Sequence, residues 1–276
     1  MSPPRSLYAV IVLLCAVTLA ACSSDRSAPA PMSTHPVRFT YGVPQDITPL
    51  VLPATGAETR WSQGLDAFAQ SIGEATSRAC ARSHGTALPD HPPPAYIRRA
   101  ELPDLEFIRQ HGFGAVPVAL PGPSPADAST GVSPAGQRCL RQGAEAMRGF
   151  RDLYATTQSA WMTEVAGLRA VPAVREAFRG LGPCLAARGI EAADEEGLFA
   201  VADRRLAADR TDADLAVAYT ACMAPVEAIR SPLREQLRRR FLATHSAQLR
   251  ELNRALPARI GQLQAHHGIW LSFPVP

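Results

Sequence analysis

The cysteines are the residues of this sequence best suited to covalent chemistry. Four of them, Cys80, Cys139, Cys184 and Cys222, are spread over the body of the chain, and no two are close neighbours. An even set of this kind in an oxidising compartment predicts two disulfides, although the sequence alone allows three connectivities. Zinc is the competing use of cysteine, but structural zinc ligands usually come as close pairs such as C-x-x-C. The spacing therefore favours disulfides and implies neither a metal nor a cofactor.

Cys22 follows a segment typical of protein export. The lone charge of Arg5 precedes an apolar run, residues 9–21, in which only Thr18 is polar. This outline predicts a signal peptide over residues 1–21. As a helix, the run would be about 20 Å long, which is shorter than the roughly 30 Å hydrocarbon core of a bilayer. It is therefore not expected to remain as a transmembrane span.

The end of this segment, "LAAC" at residues 19–22, resembles the lipobox of bacterial lipoproteins. In that motif the cysteine thiol receives a diacylglyceryl group before the signal is cleaved. The resemblance implies a mature protein that begins at Cys22, carries acyl chains such as palmitate and lies on the extracytoplasmic face of the cell membrane. Two or more acyl chains make such an anchor durable. The alternative is ordinary secretory cleavage after an alanine, with Cys22 left as a stray thiol.

Acidic residues offer a second kind of chemistry. Asp194, Glu195 and Glu196 are consecutive, and paired carboxylates perform glycoside hydrolysis, so Glu195 or Glu196 could serve a cell-wall hydrolase. Acids at this position also suit the first turn of a helix, where they complement its dipole. We favour the helix interpretation and keep the hydrolase as an alternative.

A histidine pair near the end of the chain allows a third kind of chemistry. His266 and His267 lie close to Trp270 and could bind a metal or respond to pH. Adjacent residues on a helix point about 100 degrees apart, however, so the pair makes a poor chelate. A solvated helix end is the favoured interpretation.

An arginine run could contact anionic lipid headgroups or wall polymers. It consists of Arg238, Arg239 and Arg240. Such a run is more often a solvated helix face that pairs with acids such as Glu235. The sequence contains no G-x-S-x-G, H-E-x-x-H or P-loop motif that would favour catalysis.

Composition limits the range of partners. All 28 basic residues are arginines, and the formal net charge of +3 falls to +2 once Arg5 leaves with residues 1–21, which hold no acid. A charge so close to neutral argues against a nucleic-acid binder. The expected partners are the membrane, through the lipid anchor, and envelope proteins or wall polymers.

The chain after the signal divides into two parts. Residues 23–36 are rich in Ser, Ala and Pro, which predicts a flexible tether. The apolar stretches "VRFTYG" and "ITPLVLP" then follow and are expected to lie as extended segments against the body. We therefore assign residues 22–60 to the lipidated cysteine, the tether and the extended segment, and residues 61–276 to a single helical domain.

Hydrophobic periodicity predicts helices throughout this domain, with Ser133 and Thr211 as N-caps and Gly85 and Gly189 as stops. The expected helices cover residues 61–84, part of 104–114, 134–147, 152–168, 173–188, 193–208 and a tract from 212 to 265. The predicted fold class is mostly α: an irregular multi-helix bundle with long Pro-rich loops, cross-linked by two disulfides.

Prolines interrupt the last tract. Its apolar stripe includes Ile229 and passes through Pro225, Pro232 and Pro257. A proline inside a helix removes a hydrogen bond and clashes with the preceding turn. We therefore expect a kink or break at these prolines, with Ser231 as a fresh N-cap, and two or three helices roughly end to end.

Two short segments carry a family resemblance. "CLAARGI" contains Cys184 and Gly189, and "YTACM" contains Cys222. Over residues 61–265 this pattern resembles uncharacterised secreted helical lipoproteins of high-GC Gram-positive bacteria. That family implies no activity, substrate or cofactor for this chain.

The segment "ACARSHG", with Cys80, looks like a second copy of the same pattern, and "GQRCL", with Cys139, looks like the region of its partner. We therefore predict the pairs Cys184 with Cys222 and Cys80 with Cys139. Cys184 and Cys222 also lie on apolar stripes that should pack inward.

The predicted protein is a lipid-anchored, extracytoplasmic helical domain that acts through binding or structure. A cell-wall hydrolase and a receptor for a small ligand held between helices are the alternatives.

Overall fold

The computed structural model of the protein describes residues 38–89, 95–96, 101–113, 116–117, 132–208 and 212–275. Cys22, the signal segment and the N-cap predicted at Thr211 lie outside these residues. Within the described parts the fold is mostly α, as predicted, and short strands form two antiparallel pairs. A helix both long enough and apolar enough to span a bilayer does not occur in these parts.

The described residues form ten helices, α1 to α10. They are α1 Thr48–Val51, α2 Gly56–Ser83, α3 Leu105–His111, α4 Pro134–Arg151, α5 Ala155–Gly167, α6 Pro172–Arg179, α7 Leu181–Ala186, α8 Glu195–Ala207, α9 Ala213–Thr244 and α10 Ser246–His267. A 3-10 turn, Leu168–Ala170, separates α5 from α6.

The strands pair in a simple way. β1 Arg38–Tyr41 pairs with β4 Ser272–Val275, so the first and last described segments meet. β2 Ala95–Tyr96 pairs with β3 Val116–Pro117.

Local sequence signals explain several helix ends. The Ser133 hydroxyl accepts the Gly136 N–H at 3.0 Å, and Pro134 occupies the first turn of α4, as predicted. Gly85 and Gly189 follow α2 and α7 with φ of 57° and 74°. Only glycine adopts this left-handed region at little cost, which is why it ends helices.

The boundary predicted at residue 61 is five residues too late for α2. A capping box between Thr55 and Glu58 starts this helix at Gly56. The stretch "ITPLVLP" was expected to be extended, but Thr48–Val51 form a helical turn, and Leu50 and Leu52 are fully buried. This stretch therefore belongs to the core of the domain.

The expected break at the prolines is wrong. Helix α9 continues through Pro225 and Pro232, and Ser231 is inside it rather than at a cap. Helix α10 likewise continues through Pro257. The chain is interrupted at His245 instead, whose ring stacks on Phe241 with 4.1 Å between centroids. Burial of α9 on both cores of the domain offsets the roughly 3 kcal/mol that an internal proline costs. A kink at the prolines stays a prediction.

Two hydrophobic cores organise the domain. The first core contains Leu50, Leu65, Phe150, Trp161 and Leu256, contributed by α1, α2, α4, α5 and α10. The second core is built on α3, α7 and α8, and its members include Ile108, Leu185, Leu198 and Tyr219. Helix α9 contributes Leu237 and Phe241 to the first core and its residues up to Val226 to the second. It is therefore the element that the two cores share.

Helices α2 and α4 approach each other closely because small residues face one another. A Cβ on Gly143 would overlap the Ser77 hydroxyl and the Gly73 carbonyl. A Cβ on Gly73 would meet the Gly143 carbonyl at 3.0 Å. The glycines thus permit backbone contact that no larger side chain would allow.

Candidate functional site

The four domain cysteines form the two predicted disulfides. Cys80 in α2 is bonded to Cys139 in α4, with Cα atoms 5.4 Å apart. Cys184 in α7 is bonded to Cys222 in α9, with Cα atoms 5.7 Å apart. Both separations are usual for disulfides, so the pairing predicted from the sequence is confirmed.

His84 lies beside the first disulfide. Its ring and the sulfurs of Cys80 and Cys139 are within 4.8 Å of one another, and this is the group of three potential metal ligands found in the described residues. Both sulfurs are bonded to each other, however, and metals bind the thiolate form of cysteine. The arrangement therefore favours a disulfide over zinc, and it does not include His266 or His267.

The acidic run at the start of α8 is divided among three roles. Asp194 is the N-cap, and its Oδ1 accepts the Gly197 N–H at 2.8 Å. Glu195 turns inward and is only 6% exposed, while Glu196 is exposed. The structure thus agrees with the helix interpretation, and it separates the two glutamates that were considered for catalysis.

Both carboxylate oxygens of Glu195 are occupied. The Tyr219 hydroxyl donates to Oε1 at 2.7 Å, and Arg169 Nη2 pairs with Oε2 at 2.6 Å. Burial and the negative charge of Glu195 raise the pKa of Tyr219 well above its usual value, so the phenol stays protonated and remains a donor. A glycosidase acid must reach a sugar oxygen, whereas this carboxylate is enclosed by its own partners.

A second, largely buried acid directly follows the last residue of the second core on α9. The side chain of Glu227 pairs with Arg230, whose Nη2 is 2.5 Å away, and with Arg234. The side chains of Arg230 and Arg234 are 2% and 1% exposed. Arg234 Nε also donates to the Ala54 carbonyl at 2.7 Å, which ties α9 to the segment that precedes α2.

We call Glu195, Glu227, Arg230 and Arg234 the buried charge network. The two acids of the network come together at Phe178 through their partners. Arg169, which pairs with Glu195, and Arg230, which pairs with Glu227, have guanidinium groups 5.2 and 5.5 Å from that ring. On α9 the network begins directly after Val226, the last residue of the second core, and ends before Leu237, the first buried residue that α9 contributes to the first core. The network is therefore a polar, ion-paired region of α9 between the two hydrophobic cores.

The predicted arginine run is only partly a solvated face. Arg238 pairs with Glu235 at 2.9 Å, as predicted, and also with Glu58 at 2.6 Å, so its side chain is largely buried. Arg239 and Arg240 are exposed. Only these two members of the run are therefore open to an outside partner.

The apolar stripe predicted for α9 from the sequence did not identify the buried charge network. Ile229 was placed on the apolar stripe, but it is 37% exposed, whereas Arg230 is buried. The signal available in the sequence is the spacing Glu227, Arg230, Arg234, which puts one acid and two bases on the face of Val226. When acids and bases lie on the same face of a helix as its buried apolar residues, they indicate a buried ion pair.

Comparisons with family models, with curated proteins and with solved structures return no match to this chain. Its resemblance to the helical lipoproteins therefore stays a prediction.

Proposed function

We propose that this chain is a lipoprotein, anchored through Cys22 to the extracytoplasmic face of the cell membrane, whose helical domain is a binding or structural module of the envelope. The observation that carries the proposal is that the four cysteines after Cys22 are bonded to one another. Two disulfides suit an oxidising compartment outside the cytoplasm. Once the signal segment is removed, Cys22 is then the cysteine left for a lipid.

The anchor is tested by metabolic labelling with a radioactive or alkyne-bearing palmitate in a bacterial host. We expect the label to enter the wild-type chain and to be absent from Cys22→Ser, which should also leave the membrane fraction. The double variant Cys80→Ser, Cys139→Ser is the control and should keep the label. Label that survives in Cys22→Ser would remove the anchor.

Binding rather than catalysis is supported by the enclosure of Glu195, the buried member of the acid pair. The candidate partners are envelope proteins or wall polymers. Pull-down of the lipidated protein from intact membranes, compared with Cys22→Ser, should recover a partner that depends on the anchor. Solubilisation of purified wall material by the wild type, with loss in Glu196→Gln, would favour the hydrolase instead.

A further inference from the structure

Positive charge is concentrated at the C-terminal end of the chain. Residues 236–276 contain six of the 28 arginines and one of the 25 acids. Arg238 is paired, and the other five are exposed and form no ion pair with an acid among the described residues. These five are Arg239, Arg240, Arg250, Arg254 and Arg259. The surface of α10 and of the end of α9 is therefore cationic.

Two exposed aromatic side chains lie at the β1–β4 pair: Tyr41 in β1, and Trp270 in the short segment between α10 and β4. Trp270 and Tyr41 are 61% and 62% exposed, the highest values among the large apolar side chains of the described residues. Tyr41 pairs with Ser272, and the Gly42 N–H donates to the Leu271 carbonyl at 3.2 Å. Trp270 and Tyr41 therefore lie at the same end of the sheet.

The sheet is held firmly on the domain beneath these aromatics. Phe273 stacks on Trp61 with ring centroids 5.4 Å apart, and Arg60 donates to the Pro274 carbonyl at 3.1 Å. The strands next to the exposed rings are therefore packed against α2.

Arg259 lies about two turns before the end of α10, the helix that leads to Trp270. This helix ends at His267, and Gly268 follows with φ of 65°. Burial first, and then the charges of His266 and Arg259, lower the pKa of His267, which indicates that the three side chains share one region. Tryptophan and tyrosine prefer the membrane interface, where the ring contacts acyl chains and its polar atom contacts headgroups. An arginine such as Arg259 in this region attracts anionic lipid.

We propose that the β1–β4 end of the domain, with Tyr41 and Trp270, docks on the anionic lipid surface that holds Cys22. The inference rests on the proposed lipid anchor. Sixteen positions separate Cys22 from Arg38, the first residue of β1, and a chain of that length spans at most about 55 Å. The strand that carries Tyr41 is also the first described element after the anchor. The membrane is therefore always within reach of this end of the domain.

The test uses the lipidated protein in vesicles of phosphatidylcholine and phosphatidylglycerol in equal parts, with brominated acyl chains that quench nearby tryptophan. Trp161 is buried and Trp61 is partly buried, so Trp270 should account for most of the quenching. We expect Trp270→Phe to lose that quenching. We also expect vesicles of phosphatidylcholine alone to reduce it in the wild type.

A matched variant controls for position. Val217 is 52% exposed on the half of α9 that belongs to the second core. The double variant Val217→Trp, Trp270→Phe carries an exposed tryptophan there and should show no more quenching than Trp270→Phe. Equal quenching at the two positions, or none at Trp270, would overturn the docking. So would protection of Trp270 by purified wall polymer instead of lipid.

Flotation of the same vesicles separates this result from the anchor. A protein that does not float fails as a lipoprotein. A protein that floats while Trp270 stays unquenched keeps its anchor and loses only the proposed docking surface.

Discussion

The two disulfides join helices that differ in how well they are supported without the cross-link. Cys80–Cys139 joins α2 and α4, two long helices of the first core that already contact each other through Gly73. In the second core, Cys184–Cys222 joins α9 to α7, which has six residues. Isolated helices shorter than about 12 residues are marginal in water. The first disulfide therefore reinforces an existing contact, whereas the second holds a helix in place.

The sequence around the cross-links does not reveal this difference. At the ends of α2 and α7, a cysteine is followed four positions later by a basic residue and then by a glycine with positive φ. Arg188 Nη1 is 3.1 Å from the Cys184 sulfur, and His84 occupies the corresponding place beside Cys80. Similar local segments thus serve different structural roles, because helix length and packing decide how much the cross-link must hold.

The largest effect is expected where the two cores join. Glu227→Gln removes the carboxylate shared by Arg230 and Arg234 and leaves two buried guanidinium groups without their acid. Breaking a buried pair in this way costs about 3–5 kcal/mol. Urea unfolding should show that loss in the free energy of unfolding.

Glu235→Gln is the control for this prediction, since Glu235 is more exposed and pairs with Arg238 within one turn. An exposed pair of this kind contributes at most about 1 kcal/mol. If the two variants were equally stable, the buried charge network would not join the cores in the way we describe.

The second prediction concerns the cross-links themselves. Removing either disulfide with a pair of alanines should cost up to about 4 kcal/mol, because the enclosed loops of 59 and 38 residues differ little in closure entropy. Hydrogen exchange should separate the two cases. Loss of Cys184–Cys222 should abolish protection in α7, whereas loss of Cys80–Cys139 should leave α2 and α4 protected. Similar local loss in both variants would contradict the comparison.

The sequence predicts the helical class because this class depends on local pattern. The disulfide pairing was predicted from the repeated segments around the cysteines and from the apolar stripes that carry Cys184 and Cys222. Ser133 and Gly189 act as the cap and the stop that their residue types favour. The continuation of α9 through Pro225 could not be predicted in the same way, because it depends on burial against two cores that form only in the folded chain.

The candidate site also contains features that local sequence predicts and features that depend on tertiary packing. The sequence places the acidic run at the start of a helix, and the structure has Asp194 as its N-cap with Glu195 and Glu196 in the first turn. The partners of Glu195 are 26 and 24 residues away in the chain, in Arg169 and Tyr219. Contacts between residues this far apart form only in the tertiary fold, so local sequence spacing cannot predict them.

A smaller effect should come from the glycine contact of the first core. Gly143→Ala places a Cβ against the Gly73 carbonyl and the Ser77 hydroxyl, and overpacking of this kind costs about 1–3 kcal/mol. Gly149→Ala in the same helix meets nothing within 4 Å and should instead stabilise it by about 0.5–1 kcal/mol. Thermal unfolding of both variants checks the pair. A neutral Gly143→Ala would show that α2 and α4 do not rely on close backbone contact.

The smallest expected effect is on how the free energy of unfolding depends on pH, and it tests each core separately. Each core holds one buried tyrosine, Tyr154 in the first and Tyr219 in the second. Burial raises the pKa of each phenol, aided by the negative charges of Asp66 and Glu195 respectively. An unfolded tyrosine loses its proton near pH 10. Above that pH the unfolded chain therefore binds fewer protons than the folded chain, and the free energy of unfolding decreases as pH rises towards the folded pKa.

The expected slope is a loss of about 1.4 kcal/mol per pH unit for each tyrosine that stays protonated in the folded state. Tyr154→Phe and Tyr219→Phe should each remove one such contribution from urea midpoints measured between pH 9 and about pH 11. Tyr41→Phe is the control, because Tyr41 is exposed in the folded protein, and it should leave the slope unchanged. If only one of the two buried tyrosines changed the slope, the core that holds the other would already be open at alkaline pH, and the two cores would not unfold as one unit.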